Sequence, residues 1–398
     1  MKYLSSIALL LTCMISSAQA LEYNAPTLIF NSSADSGHNM PPRTVFTDRA
    51  PSINDHGEMA ITLTLLDGTY DTGIWVKSKF QEGILTTTGA RESFNDVQIN
   101  NDGALFYTHQ TLNGIKGVYT ATGKKEGGYN FTNHMDDEEI MPYESFSNLF
   151  LTKSGELFFT AKNFKGDLAI FNYHAEFGLD LITAQNQRSR TPYSFVFSPS
   201  YNDNSEAAYK VRVGKRGELD DSLPDQIILS KGSSKKIVAQ DQDSDPNSKW
   251  KSLRNTVALS NSGAVAFIAH DGVAEKLVLI EANGNERILA TKGKELKEFS
   301  FFSVIINDKN WVAFRGKDLE GNHTIFIATE NGVQKVLTQF DKIKVPWGEA
   351  LIAYGPHIPF GGNIDMNNHG DIIVNTGLAN LENTQDYGSG VVVIYSKK

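Results

Sequence analysis

Lys162, Arg212, His270 and Lys317 each fall seven residues after the last position of a short polar turn, and the equivalent positions elsewhere in the chain hold Thr64, Gln110 and Gly377. Cations that recur at one place in a repeat can gather around one mouth, where they would pair with the carboxylates or sulfates of an extended anion. The adjoining segments add Arg43, Arg49, Arg91, His134, Arg188, Arg190, Lys249, Lys251, Arg254 and His357, with Tyr193, Trp250, Trp347 and Tyr354 among them. Aromatic faces of that kind can stack on sugar rings. His109, in Leu105-Phe106-Tyr107-Thr108-His109-Gln110, stands one residue out of this register in an otherwise apolar or aromatic stretch. A neutral imidazole there could exchange a proton near pH 7, and it reads equally well as a structural histidine bonded to a backbone carbonyl.

The elements that must position these residues are strands. The turns are Ile53-Asn54-Asp55-His56-Gly57, Ile99-Asn100-Asn101-Asp102-Gly103, Leu151-Thr152-Lys153-Ser154-Gly155, Leu259-Ser260-Asn261-Ser262-Gly263 and Met366-Asn367-Asn368-His369-Gly370, with degenerate copies at Tyr201-Asn202-Asp203-Asn204-Ser205 and Ile306-Asn307-Asp308-Lys309-Asn310. Their last residues are spaced by 46, 52, 50, 58, 47 and 60 positions. Asn, Asp and Gly suit tight hairpins, and the flanking runs, such as Ala264-Val265-Ala266-Phe267-Ile268-Ala269, have the β-branched and aromatic character of strands. Four residues after each turn stand Ile61, Tyr107, Phe159, Tyr209, Phe267, Phe314 and Val374, which reads as packing between sheets. Seven units of about 50 residues predict an all-β, seven-bladed β-propeller with four antiparallel strands per blade. The N-terminal run Pro26-Thr27-Leu28-Ile29-Phe30 is expected to complete the last blade, so that residues 21–398 form one domain. A sandwich plus a second β domain is the alternative, and it gives no reason for seven like units. Loop length varies on the face opposite the turns: Asn31 to Ser52, Asn133 to Ser145, Gln185 to Pro192, Asp241 to Asn255 and Lys342 to Gly362. That is where a site is expected.

Composition narrows the partners. Of 398 residues 40% are hydrophobic and 21% charged, as in folded chains, and the net charge of −9 disfavours nucleic acid. Lys2, an apolar stretch from Ile7 to Ile15 and Ala18-Gln19-Ala20 have the layout of a signal peptide over 1–20, so a secreted or periplasmic protein with no membrane span is expected. Cys13 is the one cysteine and lies in that leader, which excludes disulfides and thiolate sites from the mature chain. Phosphate-loop, dinucleotide, nucleophile-elbow and zinc-protease motifs are absent. Asp241-Gln242-Asp243-Ser244-Asp245-Pro246-Asn247 resembles half a calcium loop but has Pro where the sharp turn needs Gly, and reads better as a solvated acidic loop. His134-Met135-Asp136-Asp137-Glu138-Glu139 is read with the same caution, and His56 and His369 read as turn residues.

Leader, repeated antiparallel sheets and a basic, aromatic loop face together resemble the β-propeller polysaccharide lyases of marine bacteria, especially the ulvan lyases. The resemblance implies β-elimination at a uronic acid in a sulfated polysaccharide: an Arg neutralises the carboxylate, a His or Tyr removes the C5 proton, and a Tyr or His protonates the leaving O4. It implies His109, Tyr193 and Arg212 for these roles, with Tyr209 and Arg190 as near competitors, and Arg188, Arg190, Tyr209, His134, His270, Lys162 and Lys317 along the substrate. That chemistry requires no cofactor and leaves room for a structural calcium or zinc ion. An anionic polysaccharide is the expected partner, and a monomer the expected state. A propeller of the cell envelope that binds glycan or protein without catalysis is the second reading.

Overall fold

The computed structural model describes residues 21–32, 37–40, 44–45, 49–66, 71–111, 114–135, 143–174, 176–185, 193–215, 218, 220, 222–353 and 359–397. Every regular element among them is a strand. Contiguous segments spanning 44–87, 92–133, 143–184, 193–240, 252–291 and 298–338 each fold into one antiparallel sheet, a blade, numbered here one to six in chain order. Within a blade the strands run A to D from the channel outward. In blade four, A is Tyr193–Val196 continued by Ser200–Tyr201, B is Glu206–Val213, C is Asp225–Lys231 and D is Ser234–Gln240.

The closing sheet is built differently. Phe360–Met366, Ile372–Ala379 and Asp386–Ile394 pair in sequence, and Thr27–Ser32 from the other end of the chain pairs antiparallel with Asp386–Ile394. The hairpin Lys342–Val345 and Gly348–Ile352 joins the same sheet, its first strand parallel to Thr27–Ser32 at Thr27 and Lys344, its second antiparallel to Ile372–Ala379. With Gly37–His38 the sheet has seven strands. The expectation of a seven-bladed propeller with four antiparallel strands in every blade is therefore corrected: this is a six-blade arrangement of regular blades, completed by a composite, mixed sheet. The turn repeat misleads because it counts hairpins and is blind to which distant strands join them. The stretch from Lys342 to Gly362, read as a loop, contributes that extra hairpin.

The core lies between blades. The seven residues four places after the turns, from Ile61 to Val374, are all buried, and each belongs to a cluster drawn from two neighbouring sheets. At the closure Phe30 packs on Trp75 of blade one with ring centroids 4.5 Å apart. Each such side chain contributes about 1.5–3 kcal/mol by leaving water.

The turns stitch the ring on the opposite face. Asn54 accepts the backbone N–H groups of His56 and Glu58, donates to Glu58 Oε2 at 2.7 Å, and donates across to the carbonyl of Asn100 in the next blade at 2.8 Å. Asn202 repeats the pattern onto the Ser260 carbonyl, Asn307 reaches the Asn367 carbonyl, and Asn367 reaches back to the Asn54 carbonyl at 3.0 Å. The next position forms a second girdle: Asn101 bonds Asp55, Asn261 bonds both Asp203 and Asp308, and Asn368 bonds both Asp308 and Asp55. The fifth turn position has positive φ throughout, from Gly57 at 73° to Gly370 at 89°. Ser205 and Asn310 adopt it without being glycine, at 59° and 58°. Their side chains offset that strain by bonding the preceding blade, Ser205 to Glu156 and Asn310 to Ser260 and Ser262.

Replacing Asn367 by Ala removes the acceptor of two turn N–H groups and one of the bonds that join the closing sheet to blade one. Thermal unfolding is expected to show a loss of about 2–3 kcal/mol, against a change within about 0.5 kcal/mol for the exposed Asn283→Ala. Equal melting temperatures would overturn the stitching role.

Candidate functional site

On the face where the B strands end, blades four, five and six enclose a cavity of about 640 Å³. Blade four contributes Lys210, Arg212 and Asp225, blade five residues 252–256, and blade six Glu298 to Phe301 with Gly316, Lys317 and His323. Glycine is required at 316, because a Cβ there would lie 2.6 Å from the Glu298 carbonyl oxygen. Strand alternation explains the blade-four wall: in Ala208, Lys210 and Arg212 every second side chain faces blade five, while Tyr209 and Val211 pack the other way.

Charge here is buried and tightly held. Arg212 binds Asp225 through two parallel bonds of 3.0 and 3.1 Å. Lys210, 1% exposed, brings Nζ to 2.5 Å from the same carboxylate and donates to the Leu253 carbonyl and to Asn255 Oδ1, each at 2.8 Å, across the boundary between blades. Burial pushes the Lys210 amine below its ordinary value and Asp225 opposes that shift. With all three ammonium protons engaged, Lys210 is a charged fastener. Arg254 binds Glu275 through Nε at 2.6 Å and donates from Nη1 to the carbonyls of Phe299 and Ser300. Lys317 pairs with Glu298 at 3.1 Å. The lining thus carries four cations against two carboxylates. His323 is pushed below the usual imidazole value by burial first, then by Lys317 and Arg315.

Arg212, Arg254 and Lys317 are the rim residues expected from sequence that line this cavity. Lys162 lies in blade three, ion-paired with Glu144 at 2.9 Å. His270 ends its B strand and accepts the Gly272 N–H at Nδ1, a turn role. His109 is in blade two, its Nε2 2.8 Å from Glu92, which also binds Lys116, with Phe94 and Tyr119 beside the ring. Burial pushes His109 down. His134 bonds Thr120 at 2.8 Å and is likewise pushed down by burial. Tyr193 packs half-buried near Tyr209, and Tyr209 is fully buried between blades three and four, a core residue instead of a rim residue. Arg43, Arg188, Arg190, Tyr354 and His357 lie outside the described residues, as does the leader with Cys13.

The expected cationic rim is corrected in one respect: five of its described members are matched by carboxylates, Lys162 by Glu144, Arg212 by Asp225, Arg254 by Glu275, Lys317 by Glu298 and Lys249 by Glu286. Sequence counts cations but does not reveal which acid from another strand meets each one. In the acidic loop Asp241 accepts the amides of Asp225 and Ser244, and Asp245 that of Asn247. Among the described residues no group of three or more His, Cys, Asp or Glu is disposed to hold a metal ion. Lys210 and His323 were missed. For Lys210 the signal was present, since it stands two residues before Arg212 on a strand; for His323, which begins a C strand, none was.

No protein-family model matches the chain, and no curated protein sequence matches it. Among solved structures it is similar to the propeller domain of the trilobed protease of Pyrococcus furiosus, at TM-score 0.54 and 10% identity over 89% of this chain and 97% of that one. It is also similar to a puromycin-hydrolysing peptidase of Mycobacterium tuberculosis, at TM-score 0.52 and 8% identity over 87% of this chain, which spans only 53% of the peptidase. An ulvan lyase aligns at TM-score 0.46 and 8% identity over 87% of this chain and 92% of the lyase, too distant to bear on activity. These likenesses show a propeller fold and nothing about reaction.

Two outcomes test the site's electrostatics. Lys210→Met strands the Leu253 carbonyl and Asn255 and halves the compensation of Asp225, so chemical denaturation is expected to show a loss of about 3–5 kcal/mol. For His109, His134 and His323 the folded state prefers the neutral ring, so the unfolded chain binds more protons just below its own value of about 6.5. Stability is unaffected above that pH and falls as pH drops through the window below it. His323→Gln should flatten the fall measured between about pH 7 and 5; an unchanged slope would remove His323 from the account.

Proposed function

We propose that the protein is a carbohydrate-active propeller that takes a uronate-bearing, anionic saccharide into the cavity between blades four, five and six and cleaves it by β-elimination. One observation carries the reading: a single cavity holds an excess of cations, a neutral imidazole and an exposed aromatic ring, Phe301. In the proposed step the uronate carboxylate lies against Lys317 and the outward edge of Arg254. Charge neutralisation there acidifies C5–H, and preorganised cations aimed at developing charge can contribute several kcal/mol. His323 accepts the C5 proton, the C5–H electron pair becomes the C4–C5 double bond, and the C4–O4 bond breaks with its pair leaving on oxygen. O4 then takes a proton from the imidazolium or from water. His109 and Tyr193, which do not line this cavity, have no part in the step; Arg212 acts through the buried pair that shapes its wall. Export by way of the leader would put this chemistry where such polymers are met.

Capture without cleavage is the second reading, favoured by a specific observation: among the described residues no tyrosine lines the cavity to protonate O4.

Incubating mature protein with ulvan and polyglucuronate, and following the ultraviolet absorbance of the unsaturated uronate product, separates the two. Elimination predicts growth with wild type, a fall of about 100-fold or more in kcat for His323→Ala, and near wild-type rates for His109→Ala. Growth that depends on His109 and survives loss of His323 would move the reaction to blade two. Binding with no absorbance change would leave capture.

A further inference from the structure

Phe301 is 71% exposed at the rim of the cavity, yet it is held from two sides. Its ring stacks on Phe302 with centroids 4.3 Å apart and planes at 26°. Beneath Phe302 lies the guanidinium of Arg315, its central carbon 3.6 Å from the ring centroid. Arg315 is 4% exposed, and its two terminal nitrogens donate to the carbonyls of Phe360 and Gly362 in the closing sheet. The backbone is tied as well: the Ser300 N–H donates to the Arg315 carbonyl at 2.9 Å, and Arg254 clasps the carbonyls of Phe299 and Ser300 from the cavity side.

Burying a guanidinium against carbonyls and a ring, with no ion pair among the described residues to offset desolvation, costs several kcal/mol per charge in general. A solvent-facing phenylalanine needs no such support to sit on a surface. The ladder makes sense if the ring must be presented in one orientation, because a ring already fixed loses little conformational freedom when a ligand lies on it.

We infer that Phe301 is an aromatic platform on which a pyranose ring of the bound saccharide stacks, with Phe302 and Arg315 as the positioning residues that hold it. This rests on the anionic-saccharide reading above and adds to it where the sugar ring lies. The carboxylate of that ring, or of its neighbour in the chain, then meets Lys317 and Arg254 on the adjoining wall. Selectivity follows: small carboxylates without a ring should bind weakly, because they gain the charge contact and miss the stacked face.

The test uses the mature chain and an oligoglucuronate tetrasaccharide as probe, titrated calorimetrically at low and high salt, with acetate as the ringless control. Phe301→Ala is expected to weaken tetrasaccharide binding about tenfold while leaving acetate binding and the melting temperature unchanged. Phe301→Trp should restore binding, and its indole emission should change on titration. Arg315→Lys, which keeps the charge and loses the fork, should weaken the tetrasaccharide in the same direction as Phe301→Ala while Lys317→Met weakens tetrasaccharide and acetate alike. Equal affinity of wild type and Phe301→Ala, with binding that salt and Lys317→Met both weaken, would overturn the platform and leave the anion reading intact. Loss in Phe301→Ala with binding indifferent to salt would overturn the anion reading and keep the platform. No binding by wild type would overturn both.

Discussion

Blades in this fold have no continuous ladder between them, so the ring depends on contacts that cross sheet boundaries, and the turn asparagine is the most economical of these. One amide side chain both folds its own hairpin, by accepting two backbone N–H groups, and spends its remaining donor on the carbonyl of the next blade. The same bond recurs at Asn202 and Asn307, and Asn367 carries it back to Asn54 across the closure. Buried amides at such positions are costly to leave unmatched, and here the matching is supplied by the geometry of the ring. The second girdle, of alternating Asp and Asn, adds side-chain bonds in the same sense and draws Lys153 onto Asp203 as its one cation.

A face stitched so uniformly leaves the opposite one free to differ. Blades four, five and six diverge there, and their divergence makes a cavity. Its wall is strengthened by Lys210, which acts as a turn asparagine does: it satisfies groups on two blades at once, Asp225 on its own and Leu253 and Asn255 on the next. The two faces therefore obey one rule. A buried polar group at these positions is completed by the neighbouring blade.

Much of this was legible in the sequence. Turn residues, strand runs and the apolar register four places after each turn predicted sheets facing one another around a ring, because turn chemistry and side-chain alternation are local. The closing sheet was not legible in the same way. The N-terminal run was expected to complete the last blade, and Thr27–Ser32 does pair with Asp386–Ile394, but the hairpin from 342–352 joins the same sheet by non-local pairing that leaves no periodic mark. The site was half legible. Arg212 and Lys317 stood out by register, but their counter-ions Asp225 and Glu298 come from a C strand and an A strand, and nothing in spacing joins them. His109 drew attention as a lone imidazole in an apolar strand; its Glu92 partner explains its presence there without catalysis. His323 had no distinguishing neighbours in sequence and acquires its depressed basicity only from burial and from Lys317 and Arg315.

The matching of five described rim cations with carboxylates bears on how an anion could be held at all. An incoming carboxylate competes with the acid already there, and what it gains depends on what must be given up. Arg212 and Lys210 hold a nearly dry Asp225 through three contacts, and releasing that carboxylate would leave it buried and uncompensated, so this grip is structural at any reasonable ligand affinity. Lys317 and Glu298 are both substantially exposed, and a surface pair of that kind holds its partners by only about 0–1 kcal/mol. Glu298 can swing into water at little cost while Lys317 turns to the ligand. Arg254 is intermediate: Nε and Nη2 stay on Glu275 and Nη1 on the loop carbonyls, so it offers a fixed positive edge without breaking a bond. An anion is therefore recognised by Lys317, whose partner is cheap to leave, and by Arg254, which leaves none, and both line the cavity that Phe301 rims.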